Sequence, residues 1–295
     1  MELTRGDKLR SFFTVPLAVS LLFLVGVIII AVFAEKLATH DPNRLDVTHR
    51  LDAPSHEHPL GTDKTGRDIY SRLLHGSRIT ILSAFGVVLI SALIGIPLGI
   101  AAGYFGGLAD KVFMRMFDVI LAFPSLLLAF VFVAAFGRGI TNAVLALGIV
   151  YVPMLARLTR SLVLVEKNKA YVEAARSIGY SNAHIMMAEI LPNCVDTLAV
   201  QMTLDIGYAV LDLASMSFLG LGVQPPTPDW GAMLEDGWIV MTSNPFVALA
   251  PGTMIVMTVV ALNIFGDGVR SYLDPAQKKL PSIRKYRRPV RDLRK

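Results

Sequence analysis

The sequence predicts an all-α, polytopic membrane protein with six transmembrane helices. Three observations carry that prediction. Of the 295 residues, 54% are hydrophobic and 17% charged, and the mean hydropathy is +0.56, which leaves too little polar sequence to cover a soluble core. The apolar residues gather in six runs, each close to the roughly 20 residues that cross a hydrocarbon layer about 30 Å thick. Basic residues are also unevenly spread. The last 20 residues hold nine Lys or Arg against one acid, Asp292, whereas 223–245 holds neither Lys nor Arg.

The first run, 15–34, follows Arg5, Lys8 and Arg10. It is longer than the roughly 7–15 residues of a secretory h-region, so an uncleaved first span is expected, although Val32-Phe33-Ala34 would serve as a cleavage site. The remaining runs cover 79–104, 112–136, 142–162, 198–222 and 246–266. They divide the chain into an N-terminal segment, first span and loop (1–78), a five-helix core (79–275) and a basic tail (276–295). With six spans, both termini and the segment 157–193, which has five basic residues, fall on the cytoplasmic side. The loops 35–78 and 223–245 then lie outside. The single cysteine, Cys194, cannot form an internal disulfide.

Several elements carry more specific signals. On span two, Gly95, Gly99 and Gly103 make successive small-xxx-small steps, a pattern for close helix packing; a gating or subunit contact is the alternative. On span three, Arg115 and Asp118 are expected to form an ion pair at the membrane interface. The loop sequence Gly61-Thr-Asp-Lys-Thr-Gly66-Arg67-Asp68 imitates a phosphate-binding loop but lacks the Lys-Ser/Thr that must follow the second Gly, so no nucleotide site is expected. His56-Glu57-His58 offers three ligand-capable groups with no fourth fixed by spacing. A solvated turn, without metal, is the expected reading.

Residues 173–193, EAARSIGYSNAHIMMAEILPN, read as two short amphipathic helices between membrane spans. Tyr171, Ala174, Ala175 and Ile178 fall on one helical stripe. Gly179 supplies the stop, Ser181 caps the second helix, its stripe is Ala183, Met186, Met187, Ile190 and Leu191, and Pro192 ends it. No nucleophile–base pair is present, so no catalytic residue is expected. The element is either an interfacial stiffener or a docking surface for a cytoplasmic partner. On span five, Gln201, Asp205, Tyr208, Asp212 and Ser215 line a single face. A carboxylate facing lipid costs at least about 2.5–3.5 kcal/mol, so this face lines a water-filled path or meets partners; interhelical hydrogen bonding is the plainer alternative.

The order Glu173-Ala174-Ala175, Gly179, Leu191-Pro192 resembles the EAA loop of ABC-importer permeases. His58-Pro-Leu-Gly-Thr-Asp-Lys-Thr-Gly-Arg-Asp68, Phe218-Leu-Gly-Leu-Gly222 with Pro228-Asp-Trp-Gly-Ala-Met-Leu234, Asn263-Ile-Phe-Gly-Asp-Gly268 and Leu273-Asp-Pro275 resemble segments of C-type permeases of the dipeptide/oligopeptide/nickel family. The resemblance implies a type I importer fold in a bacterial inner membrane. It also implies that Glu173, Ala174, Ala175, Gly179, Leu191 and Pro192 couple the chain to an ATPase. A second related permease, two ATP-binding subunits and an extracytoplasmic substrate-binding protein are the implied partners, with lipid around them and no nucleic acid. This chain would hold no cofactor, ATP and Mg²⁺ residing on the ATPase subunits. The rival functions are a proton-coupled secondary transporter using Asp205 and Asp212, and a membrane scaffold that only recruits cytoplasmic proteins.

Overall fold

The computed structural model describes residues 15–273. The expectations for the N-terminal basic residues and the basic tail lie outside this range. Helix α1 spans Val15–Leu37, α2 Ile69–Phe105, α3 Gly107–Leu121, α4 Ser125–Phe136 and α5 Ile140–Glu166. A short α6, Ala170–Ser177, precedes α7, Asn182–Phe218. The chain continues through α8, Trp230–Ile239, and α9, Phe246–Leu273. Among the described residues five helices are long and apolar enough to cross a membrane, and the α3–α4 pair brings the number to six if taken as one broken span.

Helix α2 is the axis of the bundle. Asp68 caps it, its side chain accepting from the Ser71 amide at 2.8 Å. At 37 residues it is about 55 Å long, well beyond a hydrocarbon layer. Its ends therefore reach two opposite faces: the α1–α2 loop and α8 gather at its start, and the α6 elbow at its finish. The start expected at Ile79 moves back to Ile69 because the first three turns, polar on one side, pack Ile69 against Met233 and Val247. Ala84, Val87 and Val88 of α2 meet Ala143, Leu147 and Val150 of α5, Ala209, Val210 and Leu213 of α7 and Ile255 and Leu262 of α9 in the main core.

The glycine stripe of α2 is a packing device. A Cβ at Gly99 would stand 2.5 Å from the Ala156 carbonyl oxygen and 2.6 Å from Thr159 Cβ, and at Gly103 2.9 Å from Val163 Cβ. Backbone approach of α5 to α2 thus requires the missing side chains.

Two expectations are corrected here. Span three is broken, with α3 and α4 bent by 87°. Pro124 stands at the break; its ring disfavours helical geometry at Phe123, while its carbonyl accepts the Leu128 amide and starts α4. Asp118 pairs with Arg157 of α5 rather than with Arg115, and Asp110 pairs with Arg160 at 2.5 Å. These bonds lash α3 across the lower half of α5.

The candidate coupling surface and the polar face of the fifth span

The elbow is built by a complete C-terminal stop. Tyr180 N–H donates to the Ala175 carbonyl at 3.1 Å and Gly179 N–H to the Arg176 carbonyl at 3.0 Å, the paired bonds of a Schellman ending. Gly179 has φ +92°, a conformation that side chains with a Cβ rarely adopt. Ser181 then accepts the His184 amide at 3.2 Å and starts α7, as its residue type predicts.

The second helix departs from expectation. Pro192 does not end it, and the helix runs on as a single 37-residue α7 into the fifth span. Residues Ile185–Ile190 are π-helical, and Pro192 sits in the first α-turn after them. The wider turn makes room for the proline ring against the preceding carbonyls, and Asn193 donates its side-chain amide to the Glu189 carbonyl at 2.7 Å. The π-turn also sets the register: residues five apart share a face, so Ile185 and Ile190 are both fully buried and Met187 is exposed. The stripe expected from α-helical spacing is therefore rotated.

The same holds for α6. Val172 and Ala175 face inward, and Ala174 and Ile178 face out, Ile178 being 72% exposed. The inward side joins Tyr104, Ile100, Leu155, Val163, Cys194 and Leu198 in a second core. Polar ties fix it there. Tyr104 donates to Asn182 at 2.8 Å, the Arg176 guanidinium lies 5.3 Å from the Tyr104 ring centroid, and Lys167 donates to the Gly103 carbonyl at the end of α2. Tyr171 and Lys169 both donate to Glu166. The elbow is thus fastened to the ends of α2, α5 and α7, and it shows Glu173, Ala174, Ile178, Gly179, Tyr180 and Met187 to the outside. Of the residues expected to couple, Ala175 is buried and Leu191 half-buried; both lie beneath this surface rather than on it.

On α7, Asp205 is 6% exposed and accepts from Gln201 at 2.8 Å. Asp212 accepts the Tyr151 hydroxyl of α5 at 2.8 Å, Tyr208 is exposed, and Ser215 bonds back to the Leu211 carbonyl. Both acids have partners, so neither faces lipid alone. Tyr151 was not singled out by the sequence, since an apolar span with one tyrosine carries no signal for its partner.

At the opposite end the loop before α2 is a structural latch. Asp63 accepts from the Thr65 amide and hydroxyl, the Arg67 amide and Arg67 Nε, the last at 2.6 Å. Burial pushes its carboxyl up, but Arg67 and these hydrogen bonds outweigh burial and hold it below the usual carboxylate range. Arg67 and Lys64 both reach Asp236 of α8, Arg72 donates to the carbonyls of Pro42 and Pro226, and Thr80 donates to Asp229, the cap of α8. A Cβ at Gly66 would overlap the Asp46 carbonyl oxygen. Gly66 thus admits the Asp46 backbone, and the Thr65 and Arg67 amides are turned to the Asp63 carboxylate. His58, expected in a solvated turn, is buried with Nδ1 3.0 Å from Asp68, while His56 and Glu57 are exposed.

Residues 95–279 match the family described as "Binding-protein-dependent transport system inner membrane component". The chain is 43% identical over 261 residues to the probable D,D-dipeptide transport system permease protein DdpC of Escherichia coli K12, covering 88% of each. It is 44% identical over 258 residues to the glutathione transport system permease protein GsiD of Pectobacterium atrosepticum, covering 87% of this chain and 86% of that one. Among solved structures, an inward-facing form of the MetNI methionine ABC transporter superposes with a TM-score of 0.53 at 19% identity, covering 68% of this chain and 96% of that one. At that identity the likeness shows the fold.

Proposed function

We propose a role from one premise: the chain belongs to the family of binding-protein-dependent transport system inner membrane components. It is a multi-pass permease subunit of an ATP-driven importer. The observation that carries the coupling reading is the elbow. A rigid Schellman-ended helix, locked to the ends of α2, α5 and α7, presents small and apolar side chains outward. Exposed apolar side chains held on a fixed frame make a dock for a partner. Glu173, Ala174, Ala175, Gly179, Leu191 and Pro192 form or support it.

The dock receives one of two ATP-binding subunits, which hold the ATP and Mg²⁺; this chain carries no nucleotide site and catalyses nothing. A second, related permease completes the pathway, and an extracytoplasmic binding protein delivers substrate to the face built by the loop before α2 and by α8. Both termini and the elbow are cytoplasmic, an orientation supported by the basic tail and by the absence of Lys and Arg from 223–245. Closure of the ATPase pair pushes on α6, and the continuous α7 transmits the push without a hinge at Pro192. The polar face Gln201, Asp205, Tyr208, Asp212 and Ser215 lines the pathway that opens and closes. The cargo is a short peptide or a peptide-like thiol, in keeping with the transport names of the relatives.

The test is uptake of labelled dipeptide and glutathione into proteoliposomes holding the complete complex. ATP-dependent uptake that survives an uncoupler supports the reading. The paired acids at membrane depth favour one rival, proton coupling; uptake abolished by an uncoupler at constant ATP establishes that rival instead.

A further inference from the structure

Four of the six histidines lie in the loop between α1 and α2, at positions 40, 49, 56 and 58. The fold brings together a set that the sequence does not. His40, Glu57 and His58 each offer one ligand atom, and these atoms all lie within 4.8 Å of one another. The His40 and His58 rings have centroids 4.7 Å apart, and His49 stands 6.2 Å from His58. His56, next in sequence, is not in the set.

We propose that His40, Glu57 and His58 form a binding site for a divalent transition-metal ion of the zinc type, resident in this chain and independent of its transported cargo. Two imidazoles and a carboxylate with a position left for water are a ligand set suited to Zn²⁺ and unsuited to Mg²⁺ or Ca²⁺, which take oxygen. The surroundings match what such a site needs. The Asp68 carboxylate accepts from His58 Nδ1, which fixes the tautomer and leaves the lone pair on Nε2, the carboxylate–histidine arrangement that orients metal ligands. The Thr39 hydroxyl is 3.0 Å from His40 Nδ1 and also donates to Asp68. His40 is further held by its own amide, which donates to Ser71. Bound ligands about 2.0–2.1 Å from Zn²⁺ lie closer to each other than 4.8 Å, so the three side chains draw together around the ion, and Glu57 is exposed and unhindered by a packed core.

The site's position gives it a consequence. His40 follows α1 by three residues, and His58 is tied through Asp68 to the cap of α2. An ion here staples the exit of the first span to the start of the second, on the face where α8 and the loop meet.

The experiment uses the full chain carrying no polyhistidine tag, in detergent, and titrates Zn²⁺ against a chromophoric chelator. Wild type is expected to bind one Zn²⁺ per chain, with a gain in thermal stability on binding. His40→Ala and Glu57→Gln should each weaken binding by at least the about 10–100-fold of an outer-shell change. Both residues are partly or fully exposed and leave the Asp68–His58 bond intact, so these variants retain the fold, which the thermal transition without metal verifies. His56→Ala should bind as wild type does. Zn²⁺ binding that is absent from wild type, unaffected by His40→Ala and Glu57→Gln, or lost with His56→Ala would overturn the proposal.

Discussion

Replacing Gly99 by Ala adds one methyl group at the closest approach of α2 to α5. The new Cβ would lie 2.5 Å from the Ala156 carbonyl oxygen and 2.6 Å from Thr159 Cβ, against an ordinary separation of about 3.5–4.0 Å. Neither obstacle is the free end of a side chain, so no rotamer change relieves the clash, and the helices must part by about 1 Å. Overpacking of this kind costs about 1–3 kcal/mol, and an unyielding obstacle puts Gly99 at the upper end. Alanine's better helix propensity returns about 1 kcal/mol, leaving a net loss of about 2 kcal/mol. Gly26 of α1 is the control, since a Cβ there meets no described atom within 4 Å; Gly26→Ala should be neutral or slightly stabilising. The assay is thermal unfolding of the two purified variants beside wild type in one detergent. Equal stability of Gly99→Ala and Gly26→Ala would refute the packing argument.

Two further predictions rest on named bonds. Tyr151→Phe removes the hydroxyl that donates to Asp212 and should lower stability by about 0.6–1.7 kcal/mol, the range for hydrogen bonds between membrane helices; a variant that melts above wild type contradicts the pairing. Asp63 has a folded-state carboxyl held below its unfolded value of about 3.9. Its contribution is therefore complete above about pH 4 and is lost as pH falls through the lowered folded value. The stability advantage of wild type over Asp63→Asn should shrink on acidification, and an advantage that grows on acidification contradicts the assignment.

Much of the architecture was legible because lipid imposes length and polarity on each span. Boundaries were less so. The α2 start at Ile69 had a local signal in its cap, Asp68, but the polar residues of the first turns hid it, and the packing of Ile69 against Met233 and Val247 joins residues distant in sequence. The break at Pro124 did have a local signal, since proline unsettles the residue before it, but the apolar run masked it. In the elbow, Gly179 and Ser181 act as their residue types predict. The stripes do not, because the π-turn at Ile185–Ile190 replaces a four-residue repeat by a five-residue one, and because α6 has apolar residues on two sides. Pairings such as Tyr151 with Asp212 or His40 with His58 join residues distant in sequence, and only the folded chain shows them.

The coupling claim rests on the outward face of the elbow, and Ile178 tests it most directly. Its side chain is 72% exposed, so Ile178→Asp leaves the subunit's own fold intact, whereas a charge desolvated in a dock without a partner costs several kcal/mol. The measurement is the amount of ATP-binding subunit that co-purifies with the tagged chain in mild detergent, for wild type and for Ile178→Asp, with the second permease as the internal control. The ATP-binding subunit should be recovered with wild type and lost from the variant while the second permease is retained. Undiminished recovery of the ATP-binding subunit with Ile178→Asp would contradict the coupling claim.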